Sequence, residues 1–226
     1  MSTLWQTFCS LFAAHSELRQ IIGVTLRMAC TSTLIGCTLG ITLGILVGIT
    51  EFRGKRAILR ITSTLMSLPP VLVGVIVFFI LSRSGPLGQF RLLYSVTAMV
   101  ISQVMLITPA AMNLAATAAG ERMGQVHETM AGIGLNRKKQ IWYMLYECRK
   151  QLSVILFLGF GRAISEVGAA QLVGGNIQYK TRVMTTAIVL ETNKGNFDLA
   201  LALGIILLLI ALVVNVIAGR LQKGNT

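Results

Sequence analysis

The chain has 226 residues, a net charge of +12 and a mean hydropathy of +0.73; 54% of its residues are hydrophobic and 12% are charged. A soluble domain usually carries about 25% charged residues, so this composition indicates a protein whose solvent is a lipid bilayer. The apolar content excludes intrinsic disorder, and four cysteines in this length do not make a disulfide-rich secreted scaffold. The basic residues lie between long apolar segments, which disfavours nucleic acid as a partner.

Five segments are long and apolar enough to cross a bilayer as helices, which takes roughly 20 residues each. Pro69-Pro70 interrupts the second segment, and Pro109 is expected to kink the third. Neighbouring helices can satisfy the backbone groups that prolines free, so the sequence predicts an all-α integral membrane protein with one transmembrane domain over residues 1–226. The five predicted spans are Ile21–Ile49, Ile61–Leu81, Leu92–Gly120, Leu152–Val173 and Leu199–Gly219.

Lysine and arginine are divided unevenly between the two sides of these spans. Twelve belong to the side that holds the first loop, the loop 121–150 and the C-terminus, and six belong to the other side. Because cytoplasmic loops are enriched in basic residues, the sequence predicts a cytoplasmic C-terminus and an external N-terminus. Residues 1–18 have apolar residues at helical spacing, and two interpretations stay open for them: an amphipathic helix on the outer interface or a frayed tail.

Two sequence patterns suggest surfaces for packing and docking. Glycine recurs every four residues in the first span, at Gly36, Gly40, Gly44 and Gly48, so one helical stripe can receive a second helix closely. In the loop 121–150 a short amphipathic stretch ends at Gly134, which can close a helix in a left-handed conformation. That stretch is either a docking surface for a soluble partner or a solvated loop lying on the lipid head groups.

Glu128, Ala131 and Gly134 resemble the cytoplasmic loop signature of ABC importer permeases, which reads Glu-Ala-Ala, three residues and Gly. Thr129 and Met130 stand at the two alanine positions, and the proline that closes the signature is absent. The run Gly161-Arg-Ala-Ile-Ser-Glu-Val-Gly-Ala169 resembles molybdate-type oxyanion permeases and looks most like their tungstate branch. The run Leu68–Gly74 fits the same family, and the resemblance covers roughly residues 20–220.

The resemblance implies an ABC importer permease with five transmembrane helices and a cytoplasmic coupling helix, in which Glu128, Ala131 and Gly134 transmit motion from an ATPase. It implies the transmembrane subunit of an ATP-driven tungstate or molybdate importer in a prokaryotic inner membrane. The implied partners are a second copy of the chain, a cytoplasmic ATPase dimer that binds ATP and Mg, and an extracytoplasmic oxyanion-binding protein. Thr181–Leu190 is expected to form a short helix that dips back from the outer face. Together with the loop Ser82–Arg91 it would form the platform for that external protein.

Arg162 and Glu166 are the charged pair within the predicted fourth span, and their spacing of four places them on one helix face. Charged residues at membrane depth normally face the bundle interior and pair. The sequence leaves two roles open: an ion pair that locks helices, or an arginine on the path of a dianion with Glu166 moderating its charge, since conduction needs weak binding.

Other kinds of function find little support in the sequence. Gly174–Thr181 approaches a phosphate-binding loop, but Tyr179 stands where the second glycine must be, so no nucleotide or other cofactor is expected in this chain. His15 and His127 are isolated, which argues against a metal site, and no catalytic cluster lies within the spans. The remaining alternatives are a permease for another small oxyanion such as sulfate, or an ion-coupled secondary transporter.

Overall fold

A computed structural model describes residues 15–133 and 136–223. Within those ranges the regular structure is helical, and one 3₁₀ turn lies at Gly88–Phe90. The helices in chain order are α1 (His15–Ile49), α2 (Lys55–Met66), α3 (Pro70–Leu81), α4 (Val96–Ile133), α5 (Arg137–Glu147), α6 (Arg149–Ser165), α7 (Gly168–Gly174), α8 (Met184–Asn193) and α9 (Phe197–Lys223).

Helices α1 and α4 pack side by side along most of their length and form the centre of the fold. A Cβ atom on Gly40 would lie 2.6 Å from the Cβ of Ala111, and one on Gly48 would lie 2.7 Å from the Cβ of Ala119. Eight residues along α1 therefore correspond to eight along α4, so the two helices run parallel. The glycine stripe predicted as a packing surface lies against the alanine-rich face of α4, and close backbone approach is possible because neither face carries a large side chain.

Two of the predicted spans are bent helix pairs. The helix axis bends by 97° between α2 and α3 and by 59° between α6 and α7. Pro69 precedes the first turn of α3 and cannot donate a backbone hydrogen bond, which explains the first break. By length and composition three helices can each cross a bilayer, and the number rises to five when each bent pair counts as one span.

The structure also changes the predicted boundaries. Helix α4 begins at Val96 rather than at Leu92, runs without interruption through Pro109 and continues to Ile133. Residues 121–133 therefore continue α4, where the sequence suggested a separate short amphipathic helix within a loop, because the charged residues there can be solvated without breaking the helix. With 38 residues, α4 is about 57 Å long, against about 30 Å for the hydrocarbon core. The expectation for residues 1–18 falls mostly on positions outside the described ranges.

Candidate translocation and coupling sites

The two bent helix pairs cross each other next to their breaks. A Cβ atom on Gly74 of α3 would lie 2.8 Å from the Cα of Ala169 in α7, and one on Gly168 would lie 2.6 Å from Cγ2 of Val71. Small residues at this crossing let the backbones touch, so the ends of four helices come together at one level of the bundle. Helix ends carry unpaired backbone groups and partial charges, which makes this crossing the polar centre of an otherwise apolar region.

Arg162 reaches across this crossing to the end of α2. Its Nη1 donates a hydrogen bond of 3.4 Å to the carbonyl oxygen of Met66, the last residue of that helix. A cation at a helix C-terminus is stabilised by the unpaired carbonyl groups and by the helix dipole. Arg162 lies 13 residues after Arg149, the first residue of α6, which is about 20 Å along the helix. The contact with Met66 is therefore far from the basic N-terminal end of α6.

Glu166 hydrogen-bonds to the N-terminus of the next helix, α7. It is the first residue after α6, and its extended backbone turns the side chain towards α7. Oε1 accepts hydrogen bonds from the backbone N–H groups of Gly168, at 2.8 Å, and Ala169, at 3.3 Å. A carboxylate that accepts the first N–H groups of a helix and lies at the positive end of its dipole stabilises that end.

These contacts correct the expectation of an ion pair on one helix face. The ion pairs of the described residues do not include one between Arg162 and Glu166. The physical reason is the end of α6 at Ser165, because a spacing of four places two side chains together only while the helix continues. Each side chain instead contacts the backbone of a helix end with the opposite partial charge, and the other interpretation, a role in the substrate path, remains a proposal.

A cavity of about 190 Å³ lies beside Arg162. Met66 and Leu158 line it with the guanidinium, and Ile107 and Gly159 form part of its wall. The wall is mostly apolar, so Arg162 supplies its charge. The guanidinium has five N–H donors, and the structure uses one of them for Met66. The arrangement can accept a small anion at the remaining donors without first breaking an ion pair.

A set of hydrogen bonds between α4 and α2 was not anticipated in the sequence analysis. Asn113 of α4 donates through Nδ2 to the carbonyl oxygen of Leu59 at 3.2 Å, to Oγ1 of Thr62 at 3.2 Å and to Oγ of Ser63 at 2.8 Å. These bonds hold α2 against α4 on the N-terminal side of the break between α2 and α3. An amide within an apolar span was the available signal, since polar side chains in spans normally bond to a neighbouring helix.

Two of the three residues predicted to couple to an ATPase lie at the C-terminal end of α4. Glu128 and Ala131 belong to the last two turns of that helix, and Gly134 lies outside the described residues. Helix α5 then packs back on the bundle through Met144, which is fully buried, and Cys148 follows it into the same apolar core. The long helix and its return helix together form one end of the bundle, which the charge distribution predicts to be the cytoplasmic end.

At the opposite end of the bundle, polar contacts join loop residues to residues of α1, α7 and α8. Tyr94 donates its backbone N–H to the carbonyl oxygen of Val173 at 2.9 Å, and Arg182 pairs with Glu17 at 3.0 Å. Glu191 accepts from Lys194 and Asn196, each at 2.8 Å. Burial opposes ionisation of Glu191, but the bonds from Lys194 and Asn196 and the charges of Lys194 and Arg182 outweigh it, so its pKa lies below the ordinary value.

A larger cavity of about 510 Å³ opens between α1, α8 and α9 at this end. Its charged lining residues already pair with one another, Arg182 with Glu17 and Lys194 with Glu191. It therefore differs from the smaller cavity at Arg162, whose cation is held by a neutral carbonyl. The part of the chain that the structure describes contains no group of three or more His, Cys, Asp or Glu residues that could hold a metal ion.

A protein-family comparison agrees with this architecture. The model described as "binding-protein-dependent transport system inner membrane component" matches residues 40–225. The chain belongs to this family. It is therefore a multi-pass inner-membrane component of a transport system.

Relatives in the family match almost the full chain. The tungstate uptake system permease protein TupB of Peptoclostridium acidaminophilum is 38% identical over 94% of this chain and 93% of its own length. TupB of Campylobacter jejuni is 39% identical over 96% of this chain and 91% of its own length. The crystal structure of a bacterial ABC transporter involved in alginate import superposes with a TM-score of 0.80, at 22% identity, over 98% of this chain and 84% of that one. This structural likeness establishes the fold of an ABC importer permease.

Proposed function

We propose that this chain is the transmembrane subunit of an ATP-driven tungstate importer, and that it works as a homodimer with a cytoplasmic ATPase dimer and an extracytoplasmic binding protein. The observation that carries the proposal is the near full-length similarity to two tungstate uptake permeases. An alginate transporter of the same fold has been solved in complex with a ligand-bound periplasmic protein, which supports an external protein partner. The chain itself contributes the path, and the separate ATPase binds ATP and Mg.

The geometry around Arg162 supports passage of a dianion. Met66 holds the guanidinium through a neutral carbonyl oxygen, so its charge stays available to an anion in the adjacent cavity. Glu166 lies close enough along the chain to weaken that attraction, while its carboxylate stays on the α7 N-terminus. Weak binding allows release, which conduction requires.

The bent helix pairs support alternating access. A movement that shifts α2 relative to α6 changes the Arg162–Met66 contact directly, because the two residues belong to different bent pairs. Helix α4 extends roughly 25 Å beyond the thickness of the hydrocarbon core. Through Glu128, Ala131 and Gly134 it would carry the closure of the ATPase dimer to the path between the two protomers, and ATP hydrolysis would reset it.

The transport reaction is tested in proteoliposomes that contain the chain, its ATPase and its binding protein. We expect tungstate uptake that requires ATP, competition by molybdate, and weaker competition by sulfate. Uptake without ATP, driven by an ion gradient, would contradict the proposal in favour of a secondary transporter. Stronger competition by sulfate than by molybdate would assign the chain to another oxyanion.

The role of Arg162 is tested separately from folding. Arg162→Met removes the cation, and Arg162→Lys keeps a cation with fewer donors. If Arg162 serves the anion, both variants should reach the membrane in normal yield, Arg162→Met should lose uptake, and Arg162→Lys should retain part of it. Adding Glu166→Leu to Arg162→Met removes both charges; full uptake by this double variant would exclude Arg162 from the path.

A further inference from the structure

An exposed aromatic stripe with basic ends runs along the return helix α5 and onto the first residues of α6. Trp142 is 76% exposed and Tyr146 is 64% exposed, and they lie four residues apart on one face. Lys139 is exposed on the same face, one turn before Trp142, and Arg149 and Lys150 are exposed one turn after Tyr146. The opposite face is buried through Met144. The stripe is therefore a continuous surface that the packing of α5 leaves uncovered.

The basic end of this stripe lies where the next helix enters the apolar region. Leu152, two residues after Lys150, packs against the central apolar core together with Met144. From Leu152 onwards α6 is almost entirely apolar as far as Arg162. Arg149 and Lys150, at the basic end of the stripe, therefore lie within about one helical turn of the first residue of this apolar run.

The chemistry of the stripe matches a membrane interface. Tryptophan and tyrosine concentrate at membrane interfaces, where their rings meet the acyl boundary and their polar atoms meet water. The guanidinium carbon of Arg149 lies 4.3 Å from the centre of the Tyr146 ring, so cation and ring form one unit. Basic residues beside such rings attract anionic lipid head groups, and this face presents three exposed cations, Lys139, Arg149 and Lys150.

We propose that α5 and the first residues of α6 form an interfacial anchor that binds anionic phospholipids, with the head groups at Lys139, Arg149 and Lys150 and the acyl boundary at Trp142 and Tyr146. This divides the segment 121–150 into two surfaces: the end of α4 projects away from the bilayer towards a soluble partner, while α5 holds the segment on the membrane. The anchor does not depend on which substrate the chain transports.

The sequence allows a direct measurement, because Trp5 and Trp142 are its two tryptophans. In a Trp5→Phe variant the fluorescence reports on Trp142 alone. The purified chain is placed in phosphatidylcholine nanodiscs that contain a minority of brominated lipid. We expect stronger quenching by bromine near the head group than by bromine near the end of the acyl chain. Brominated phosphatidylglycerol should quench more than the same fraction of brominated phosphatidylcholine.

Charge variants test the anionic preference. In the Trp5→Phe background, Arg149→Gln and Lys150→Gln should each lower the preference for phosphatidylglycerol by about fivefold, which corresponds to the usual contribution of one cation near a membrane surface. Lys180→Gln is the matched control, since Lys180 is exposed at the other end of the bundle; it should leave Trp142 quenching unchanged. Tyr146→Phe keeps the ring under Arg149 and should retain the preference.

Two results would overturn the anchor. One is equal quenching by brominated phosphatidylglycerol and phosphatidylcholine. The other is a Trp142 that no brominated lipid quenches while aqueous iodide quenches it fully, which would make the stripe a surface for a soluble protein. Both results can be obtained with the chain alone, so they are independent of whether tungstate transport is confirmed.

Discussion

Close packing of α1 on α4 predicts that Gly40 does not tolerate even a methyl group. A Cβ atom there would lie 2.6 Å from the Ala111 Cβ and 2.6 Å from the Thr108 carbonyl oxygen. Carbon atoms in contact are ordinarily about 3.5–4.0 Å apart, so Gly40→Ala must separate the helices by roughly 1 Å. Such overpacking typically costs about 1–3 kcal/mol.

Gly23 of the same helix provides the matched control. It is exposed, and nothing lies within 4 Å of a Cβ atom built on it. Replacing glycine by alanine gains about 1 kcal/mol of helix propensity at either position, so the difference between Gly40→Ala and Gly23→Ala isolates the cost of the clash.

The two variants are compared by thermal unfolding of purified protein in one detergent. At about 2–4 °C per kcal/mol for a chain of this size, Gly40→Ala should melt roughly 2–12 °C below Gly23→Ala. Equal melting temperatures would refute the close contact between α1 and α4, and with it the register that aligns Gly40 with Ala111.

Three further predictions concern orientation, coupling and the outer loops. In a cysteine-free background, a cysteine at Asn136 should react with an impermeant maleimide only after the membrane is permeabilised, and one at Gln178 should react in intact spheroplasts; the opposite pattern would reverse the topology. Gly134→Val should leave the chain in the membrane but abolish its stimulation of the ATPase, because a β-branched residue resists the left-handed conformation that the sequence predicts at Gly134; normal transport would remove Gly134 from the coupling role. The depressed pKa of Glu191 means that its carboxylate stabilises the fold above the ordinary value of 4.5 and that this contribution is lost as the pH falls below it. The melting-temperature difference between wild type and Glu191→Gln should therefore be present at pH 7 and disappear towards pH 3; a difference that does not change with pH would contradict the charged contacts.

Hydropathy and loop charge determined the class of this protein, because both act locally along the chain. A bilayer imposes the same requirement on every apolar segment, so Pro70–Leu81 and Phe197–Lys223 could be recognised as membrane segments without knowing their neighbours. The glycine spacing in α1 likewise predicted a packing surface, because helical periodicity alone aligns residues four apart.

The partner of each surface depended on the tertiary structure. The glycine stripe packs against Ala111 and Ala119 because α1 and α4 run parallel in a particular register. The periodicity of a single helix does not predict its register against a helix distant in sequence. The spacing of Arg162 and Glu166 predicted an ion pair because it assumed a continuous helix. Helix α6 ends at Ser165 instead, and the arginine contacts the end of α2 while the glutamate contacts the start of α7. Local sequence determined which residues carry charge at membrane depth, and packing between distant helices decided which backbone groups those residues contact.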